Sequence, residues 1–406
     1  MAITRRSTNQ LLAAAIAAPG LSLATARRKT RFRYDIAVIG AGVFGAWTAH
    51  HLHRRGFRTL LVDAYGPASS RATSGGESRI IRTSYGTQDF YSTWAWHSLP
   101  QWQALARRTG QSVFAPTGVL AFADEGNEFI EASWAAQQRL QIPSERLSRS
   151  EMVKRYPQVA FGPHETGLYE PHAGVLYARQ SVQALVAEMR RRGVDYRQAE
   201  VLAPTGASAR ADVMTRDGVA VSAERFVYAC GPWLKTLFPH ELGPHLRIDR
   251  AEVYFLGAEA GDRRFDGENF PAWMDCNAGA DAWGIPGVEG RGFKLAVDHL
   301  IQPADPDQQD RQPTAPFREA VRDYVVQRFP ALARAPIVET RVCQYEMAED
   351  EEYLVDRHPH YENVWWAGGG SGHGFKNGPE LGRYVAGVLS GTRPPESRFQ
   401  RNVTGA

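Results

Sequence analysis

The sequence predicts an α/β protein that combines a mostly parallel sheet with a second, mostly antiparallel one. Two strand–glycine-turn–helix units, one near each end of the chain, predict the first sheet. Short strand-like runs separated by turns, within residues 111–170 and 246–335, predict the second. A chain of 406 residues is long enough to form two domain-sized cores.

Composition and charge exclude several broad classes of protein. The chain is 43% hydrophobic and 22% charged, which is not typical of collagen-like or disordered sequences. The net charge is +3, and residues 1–33 hold seven basic residues and no acid, which leaves 3 − 7 = −4 for the rest. A slightly acidic body does not predict a nucleic-acid-binding protein. No apolar run reaches the roughly 18 residues of a membrane-spanning helix.

Residues 1–26 are predicted to be a signal peptide of the twin-arginine type. Arg5 and Arg6 precede a short apolar stretch, and Ala24-Thr25-Ala26 supplies the small residues of a cleavage site. We therefore expect the twin-arginine export machinery as a partner, a periplasmic or secreted location in a bacterium, and no stable membrane insertion. A membrane anchor or a basic tail is the alternative interpretation.

The first strand–turn–helix unit begins at residue 34. Residues 34–39 form a short apolar run typical of a buried strand, and the turn Gly40-Ala41-Gly42-Val43-Phe44-Gly45 follows directly. A helix is predicted over 46–55 and a second strand over 59–62, which ends at Asp63.

The glycines of this turn have separate predicted roles in binding a dinucleotide. Gly40 permits the tight turn, Gly42 lets a pyrophosphate approach the backbone, and Gly45 lets the helix pack closely on the strand. The start of the helix offers amide groups to the phosphates. Asp63, 23 residues after Gly40, is expected to accept hydrogen bonds from a ribose diol.

In the rest of the chain, strands and helices alternate less regularly. We predict a strand near 118–122, helices over 128–140 and 181–192, a hairpin over 213–221, a buried strand over 226–230, antiparallel strands over 246–300, a polar linker over 303–316 and a helix over 317–329. The second unit follows, with a strand over 363–367, a glycine loop over 368–374 and a helix over 379–389.

Two domains follow from this order of elements. A Rossmann-like dinucleotide-binding domain is predicted from residues 34–110, 171–245 and 336–391, and a substrate domain from 111–170 and 246–335. No metal site is predicted: His50, His51 and His53 share one helix, but His50 and His53 lack a third ligand of suitable type. The three cysteines are far apart and odd in number, so no disulfide framework is predicted.

Six motifs match one known family. They are Gly40–Gly45, Ser78-Arg79-Ile80-Ile81-Arg82, Ala229-Cys230-Gly231-Pro232-Trp233, Gly292-Phe293-Lys294-Leu295, Cys343-Gln344-Tyr345 and Ser371-Gly372-His373-Gly374-Phe375-Lys376. Through these motifs the chain resembles the monomeric sarcosine oxidase family, which includes N-methyltryptophan oxidase and pipecolate oxidase. The resemblance implies a DAO-type fold with FAD, and oxidation of a secondary amine or an N-methyl or cyclic amino acid to an imine, with O₂ reduced to H₂O₂.

The resemblance also implies how FAD is held. Members of the family carry a thioether between a cysteine and the flavin ring, and Cys343 stands at that position. The amides of the loop Gly368–Gly374 are expected to stabilise negative charge on reduced flavin. The other residues expected to bind the cofactor are Gly40, Gly42, Gly45, Asp63, Ser78, Gly231, Gly370, Gly372 and Gly374.

The motifs further imply which residues act on substrate and oxygen. Arg82 and Lys376 match the ligands of the substrate carboxylate, a role that suits an arginine fork and a lysine point charge. Arg79 matches the arginine against the flavin. Lys294 matches the lysine that assists the reaction with O₂ by stabilising developing superoxide. Tyr345 is retained as an active-site tyrosine.

The chain departs from the family around the substrate. Trp283 stands where the family has a tyrosine, and we count it among the catalytic-site residues because it narrows the pocket or provides a face for a cationic amine. A family histidine corresponds to Asp298, with His299 one residue late. Ser74 and Gly75 replace family histidines. Sarcosine is therefore not carried over as the substrate.

Three other functions stay open at this point. A flavin dehydrogenase would pass electrons to a quinone or a carrier protein, an NAD-dependent dehydrogenase would use the same glycine turn, and a non-catalytic binding protein would explain the altered pocket. For the oxidase we expect a monomer whose partners are a small-molecule amine and O₂, without nucleic acid.

Overall fold

Eight α-helices and eighteen strands make up the part of the chain that this computed structural model describes, residues 32–401, so the predicted signal peptide lies outside the described residues. The helices are α1 Val43–Arg54, α2 Asp89–Thr109, α3 Glu128–Arg139, α4 Arg149–Arg155, α5 Ala178–Arg191, α6 Leu234–Leu237, α7 Ala315–Arg328 and α8 Gly378–Leu389. Short 3₁₀ turns lie at Thr73–Gly75, Gly231–Trp233, Asp298–Leu300, Pro330–Leu332, Phe375–Asn377 and Ser397–Phe399.

The strands fall into three sheets. They are β1 Tyr34–Ile39, β2 Thr59–Asp63, β3 Ser78–Ile81, β4 Phe114–Ala115, β5 Val119–Asp124, β6 Glu145–Leu147, β7 Glu165–Glu170, β8 Gly174–Tyr177, β9 Asp195–Gln198, β10 Ala223–Tyr228, β11 Leu246–Leu256, β12 Ala272–Asp275, β13 Ala282–Ile285, β14 Phe293–Val297, β15 Gln302–Pro303, β16 Ile337–Ala348, β17 Leu354–Arg357 and β18 Val364–Gly368.

The first sheet has six strands in the order β17-β18-β10-β1-β2-β9. All neighbours are parallel except β17, which runs antiparallel to β18. Ile39 of β1 pairs with Tyr228 on one side and Val62 on the other, so the three strands end at one edge. The strands read as apolar runs because both faces of such a sheet are buried.

Helices α1 and α8 pack closely on one face of this sheet, although they come from opposite ends of the chain. A Cβ atom on Gly382 of α8 would lie 2.4 Å from the backbone of Trp47 in α1. Glycine is therefore required there for the helices to approach. The contact brings the two predicted strand–turn–helix units side by side.

The second sheet has nine strands. Eight follow the order β15-β11-β14-β13-β12-β5-β7-β6, and β16 pairs with β11 along almost its whole length, from Leu246 opposite Ala348 to Leu256 opposite Ile337. Its pairs are antiparallel except β12 with β5. A buried aromatic cluster around Trp273 and Phe293 lies beneath α7. The third sheet, β3-β8-β4, is antiparallel.

This architecture confirms the predicted fold class, with differences in detail. The hairpin expected over 213–221 is reduced to an isolated bridge between Met214 and Ala220, although its turn forms. Val219 is exposed there, so longer pairing would bury little apolar surface. Among residues 32–401, no helix has the length and apolarity to cross a bilayer, and no group of side chains is arranged to hold a metal ion.

Candidate cofactor and active site

A cavity of about 400 Å³ opens where β1, β10 and β18 end. In parallel sheets this carboxyl edge is where ligands bind. Nine of the residues predicted for the site line it: Gly40, Gly42, Asp63, Arg79, Gly231, Tyr345, Gly370, Gly372 and Gly374. The other seven lie outside that lining: Gly45, Ser78, Arg82, Trp283, Lys294, Cys343 and Lys376.

The turn between β1 and α1 has the form of a phosphate cradle. Gly40 has φ of +103°, and a Cβ there would lie 2.2 Å from the carbonyl oxygen of Ala229. A Cβ on Gly45 would lie 1.8 Å from the carbonyl oxygen of Gly40, so this glycine serves helix packing and not the cavity wall. The first amide of α1, on Val43, donates to Ser74 Oγ at 3.0 Å. The cradle fits a diphosphate.

Asp63 fixes the glycine turn as well as lining the cavity. Its Oδ2 accepts from the Ala41 amide at 2.6 Å, and its Oδ1 accepts from the amides of Tyr65 and Gly66 at 2.8 Å each. Burial raises the pKa of Asp63, and these three amides oppose the rise. The predicted contact with a ribose diol would use the remaining acceptor capacity of the carboxylate.

The glycine loop at the other end of the cavity differs from the prediction. It leads into the 3₁₀ turn Phe375–Asn377, and α8 begins only at Gly378. Four of its amides already donate within the protein, those of Gly369, Ser371, His373 and Gly374. Fewer amides therefore remain to stabilise reduced flavin than the loop sequence suggested.

Lys294 lies near Arg79, and Ser78 holds the Lys294 side chain in place. Its Nζ donates to the carbonyl oxygen and Oγ of Ser78, at 3.1 and 3.2 Å, and the residue is 1% exposed. Burial, and next the nearby Arg79, lower the pKa of Lys294 to about 8. The Arg79 guanidinium donates to the carbonyl oxygens of Ser78 and Thr73, at 2.7 and 2.6 Å. Ser78 thus positions Lys294 and does not line the cavity.

Trp283 and Asp298 form a hydrogen-bonded pair beside Lys294. Trp283 Nε1 donates to Asp298 Oδ2 at 2.9 Å, and the Trp283 ring centre lies 5.5 Å from Lys294 Nζ. Burial raises the pKa of Asp298 to about 6, against the hydrogen bond from Trp283. His299 is exposed, whereas Asp298 is held by Trp283 beside Lys294.

Cys343 stands on β16 opposite Ala251 of β11 and packs beside Trp283. It interacts electrostatically with Lys294, as the charge environment of that lysine shows. The other two cysteines are poor nucleophiles, because burial raises the pKa of Cys230 well above its usual value and that of Cys276 to about 12. All three are free thiols.

Arg82 and Lys376 meet on Tyr85, a residue that the sequence did not single out. The Arg82 guanidinium carbon lies 4.8 Å and Lys376 Nζ 4.9 Å from the Tyr85 ring centre. Lys376 Nζ also donates to Tyr85 Oη at 2.9 Å, and Asn377 Nδ2 donates to the same oxygen at 3.1 Å. Burial, and next Arg82, lower the pKa of Lys376 well below its usual value, whereas Glu170 raises it. The pair forms a compact cationic site.

The polar linker 303–316 crosses the mouth of the cavity. Asp307 lines the cavity, accepts from Trp233 Nε1 at 3.0 Å and pairs with Arg71. Farther along, Gln309 bonds to Gln344 of β16. The sequence indicated a linker here, but its role as a strap over the cavity depends on contacts between distant segments.

The chain matches the family description "DAO: FAD dependent oxidoreductase" over residues 35–388. Monomeric sarcosine oxidase of Bacillus sp. (strain B-0618) is 29% identical over 364 residues, which cover 87% of this chain and 91% of that protein. N-methyl-L-tryptophan oxidase of Yersinia pestis (strain Pestoides F) is 27% identical over 361 residues, covering 87% and 94%. The structure of NikD, an unusual amino acid oxidase, superposes with a TM-score of 0.73 at 20% identity, covering 90% of this chain and 97% of NikD.

Proposed function

The chain belongs to the DAO family of FAD-dependent oxidoreductases, and from this premise we propose that it is an oxidase of secondary or N-methylated amino acids. The observation that carries the proposal is the cationic pair Arg82 and Lys376, which share Tyr85 and stand next to the glycine loop of the cofactor cavity. A guanidinium and an ammonium suit a carboxylate. The names of the relatives support an amine as the group oxidised.

The residues around the cavity fit FAD, as the glycine cradle shows at one end and Arg79 and Tyr345 at the other. When bound, FAD would supply the redox chemistry: two electrons and the hydrogen of the amine's CH–NH unit would be taken up as the imine forms, and O₂ would receive them to give H₂O₂. Lys294 holds a positive charge at the site where oxygen gains electrons. Arg82 and Lys376 hold the substrate carboxylate, which fixes the position of the amine.

The Trp283–Asp298 pair shapes the substrate class. Trp283 presents a large aromatic face, and the Asp298 carboxylate holds the indole through its Nε1. An aromatic face attracts a cationic amine, and the bulk of the indole limits the space beside it. We therefore propose an amino acid whose secondary amine can lie against this aromatic face, and we do not carry sarcosine over as the substrate.

We also propose that FAD is attached through Cys343. Cys343 is the cysteine of the motif Cys343-Gln344-Tyr345 that matches the family. Cys230 and Cys276 are buried in environments that disfavour their thiolates. A thiolate at Cys343 would add to the 8α carbon of the flavin after that methyl group loses a proton, which would leave the flavin reduced by two electrons until O₂ reoxidises it. For the whole protein, Arg5-Arg6 and the following apolar stretch support export by the twin-arginine route to the periplasm or outside the cell.

An anaerobic substrate screen tests the proposed activity. Purified yellow protein is mixed with N-methyl and cyclic amino acids and, as matched controls, with the decarboxylated amine of each. Flavin bleaching by the amino acid but not by its amine, followed by O₂ consumption and H₂O₂ release on aeration, is the expected result. Equal turnover of both would contradict the carboxylate site, and bleaching without O₂ uptake would indicate a dehydrogenase.

A further inference from the structure

Glu346 is a buried acid without a cationic partner. It follows Tyr345 on β16, lines the cofactor cavity and is 5% exposed. Its Oε2 accepts from the Gly369 amide at 3.0 Å, and the Gly370 amide also acts on the carboxyl group, but Oε1 makes no hydrogen bond of good geometry within residues 32–401. Burying a carboxylate without a partner is costly, so this oxygen indicates a missing ligand atom.

The space around Glu346 is narrow and lies between the two ends of the cavity. A Cβ on Gly368 would lie 2.9 Å from Glu346 Oε1, so that position has room only for glycine. Glu346, the phosphate cradle at Gly40 and Gly42, and Tyr345 all line the same cavity. With the diphosphate at the cradle and the flavin ring near Tyr345, the portion of FAD that joins them would lie nearest to Glu346.

The charged and titratable groups facing the same space are few. Asp63 ends β2 and Cys230 follows β10, the two strands on either side of β1. The charges of Asp63 and Glu346 both raise the pKa of Cys230. Arg79 lines the cavity, but carbonyl oxygens bind its guanidinium. Burial raises the pKa of Glu346 to about 7, against the amides of Gly369 and Gly370. An ionised Glu346 would face the negative diphosphate without neutralisation.

We propose that Glu346 binds FAD in its protonated form, donating a hydrogen bond from Oε1 to an oxygen of the cofactor's ribityl–diphosphate portion. FAD capture by this chain therefore takes up a proton. The inference rests on FAD binding alone and not on the proposed amine oxidation or the link to Cys343. The affinity of the cavity for FAD then depends on pH, because deprotonation of Glu346 removes the hydrogen-bond donor and adds a negative charge.

The test measures the FAD dissociation constant across pH. In the Cys343→Ser background, the loaded protein is serially diluted to equilibrium at pH 6 to 8.5, and free FAD is read by its fluorescence. Above the pKa of the acid in the free protein, the dissociation constant should rise about tenfold per pH unit. Glu346→Gln keeps a donor that does not ionise, so its dissociation constant should not change with pH over this range.

Two further variants separate this role from support of the Gly369 loop. Asp307→Asn, in the same background, removes a carboxyl that lines the same cavity but is paired with Arg71, and should leave the pH dependence intact. Glu346→Leu should weaken FAD binding at every pH. A flat profile in the Cys343→Ser parent, or a Glu346→Gln profile as steep as the parent's, would overturn the proposal. The parent profile needs no change at position 346, so misfolding of a variant cannot obscure it.

Discussion

Individual side chains of the site obtain their properties from their surroundings, as Lys294, Arg82, Cys343 and Glu346 show. The motifs predicted the first three, because their spacing matches a family. Tyr85 and Glu346 were not predicted as site residues. Tyr85 matters because two cations from distant segments meet on its ring, and Glu346 matters because its oxygen is left without a partner. Neither fact can be predicted from the local sequence, because each depends on segments that are distant along the chain.

Replacing Arg82 should weaken catalysis on amino acids specifically. Arg82→Ala should lower kcat/KM by about 100-fold or more, since a charge-assisted, desolvated pair contributes roughly 2–5 kcal/mol. Flavin content should stay intact, because Arg82 does not line the cofactor cavity. Steady-state kinetics with an amino acid and its decarboxylated amine provide the measurement. An equal loss for both substrates would argue against a carboxylate contact.

The reaction of reduced enzyme with O₂ should depend on the charge of Lys294. Because the pKa of this lysine is about 8, its ammonium form, and with it the rate of reoxidation, should decline as pH rises through 8. Stopped-flow reoxidation at pH 6.5 to 9.5 measures this. Lys294→Met should be slow and insensitive to pH, while Lys294→Arg should keep the charge above pH 8. A Lys294→Met enzyme as fast as the wild type would reject the role.

Cys343→Ser should abolish covalent flavin. Wild-type protein denatured in SDS should give a fluorescent band at full length, whereas the serine variant should release its flavin on acid precipitation, since a hydroxyl ionises far less readily than a thiol. Cys230→Ser and Cys276→Ser are the matched controls and should keep the band. Acid-extractable flavin in the wild type would show that the link is absent.

At the scale of elements, the sequence predicted best where local pattern and packing agree. Strands β1 and β2 were predicted to within one residue, whereas α1 begins three residues earlier than predicted, inside the glycine turn. The unit was recognised because an apolar run, a glycine turn and a helical period all point the same way. The hairpin over 213–221 was overestimated: its turn forms, but its pairing is an isolated bridge between Met214 and Ala220, with Val219 exposed. The linker at 303–316 was recognised, but not its strap over the cavity, because that depends on distant partners.

The contact between α1 and β1 gives an element-scale prediction. Gly45→Ala would place a methyl group 1.8 Å from the Gly40 carbonyl oxygen, so the helix must move away from the strand. We expect a loss of stability of roughly 1–3 kcal/mol, as for an overpacked core, together with reduced flavin content. Thermal unfolding and the flavin-to-protein ratio measure both.

Gly387→Ala in α8 is the matched control for Gly45→Ala. The added Cβ would meet two flexible side chains, Arg393 at 3.2 Å and Arg55 at 3.7 Å, in a helix where alanine is favoured over glycine. It should keep its flavin and be no less stable than the wild type. If Gly45→Ala behaved like this control, close packing at the turn would not be needed for cofactor binding.

At the scale of the whole molecule, the predicted division into two domains stays a prediction, and so does export. Changing Arg5 and Arg6 together to lysine should retain precursor in the cytoplasm, because the twin-arginine route reads that pair. Fractionation of cells producing tagged protein measures the mature form in the periplasm. The single change Ser7→Ala beside the pair is the control. Unchanged periplasmic yield from the double variant would contradict the assignment.

The strand order of the six-stranded sheet has a consequence for the timing of synthesis. β1 pairs with β2, made soon after it, and with β10, made about 190 residues later, while β10 in turn pairs with β18, near residue 366. Pairing between segments so far apart in sequence is slow to form. A ribosome must therefore translate nearly the whole chain before the edge that receives FAD exists. Cofactor capture then waits for the synthesis of β18, and the supply of FAD has no binding edge to act on before that strand is made.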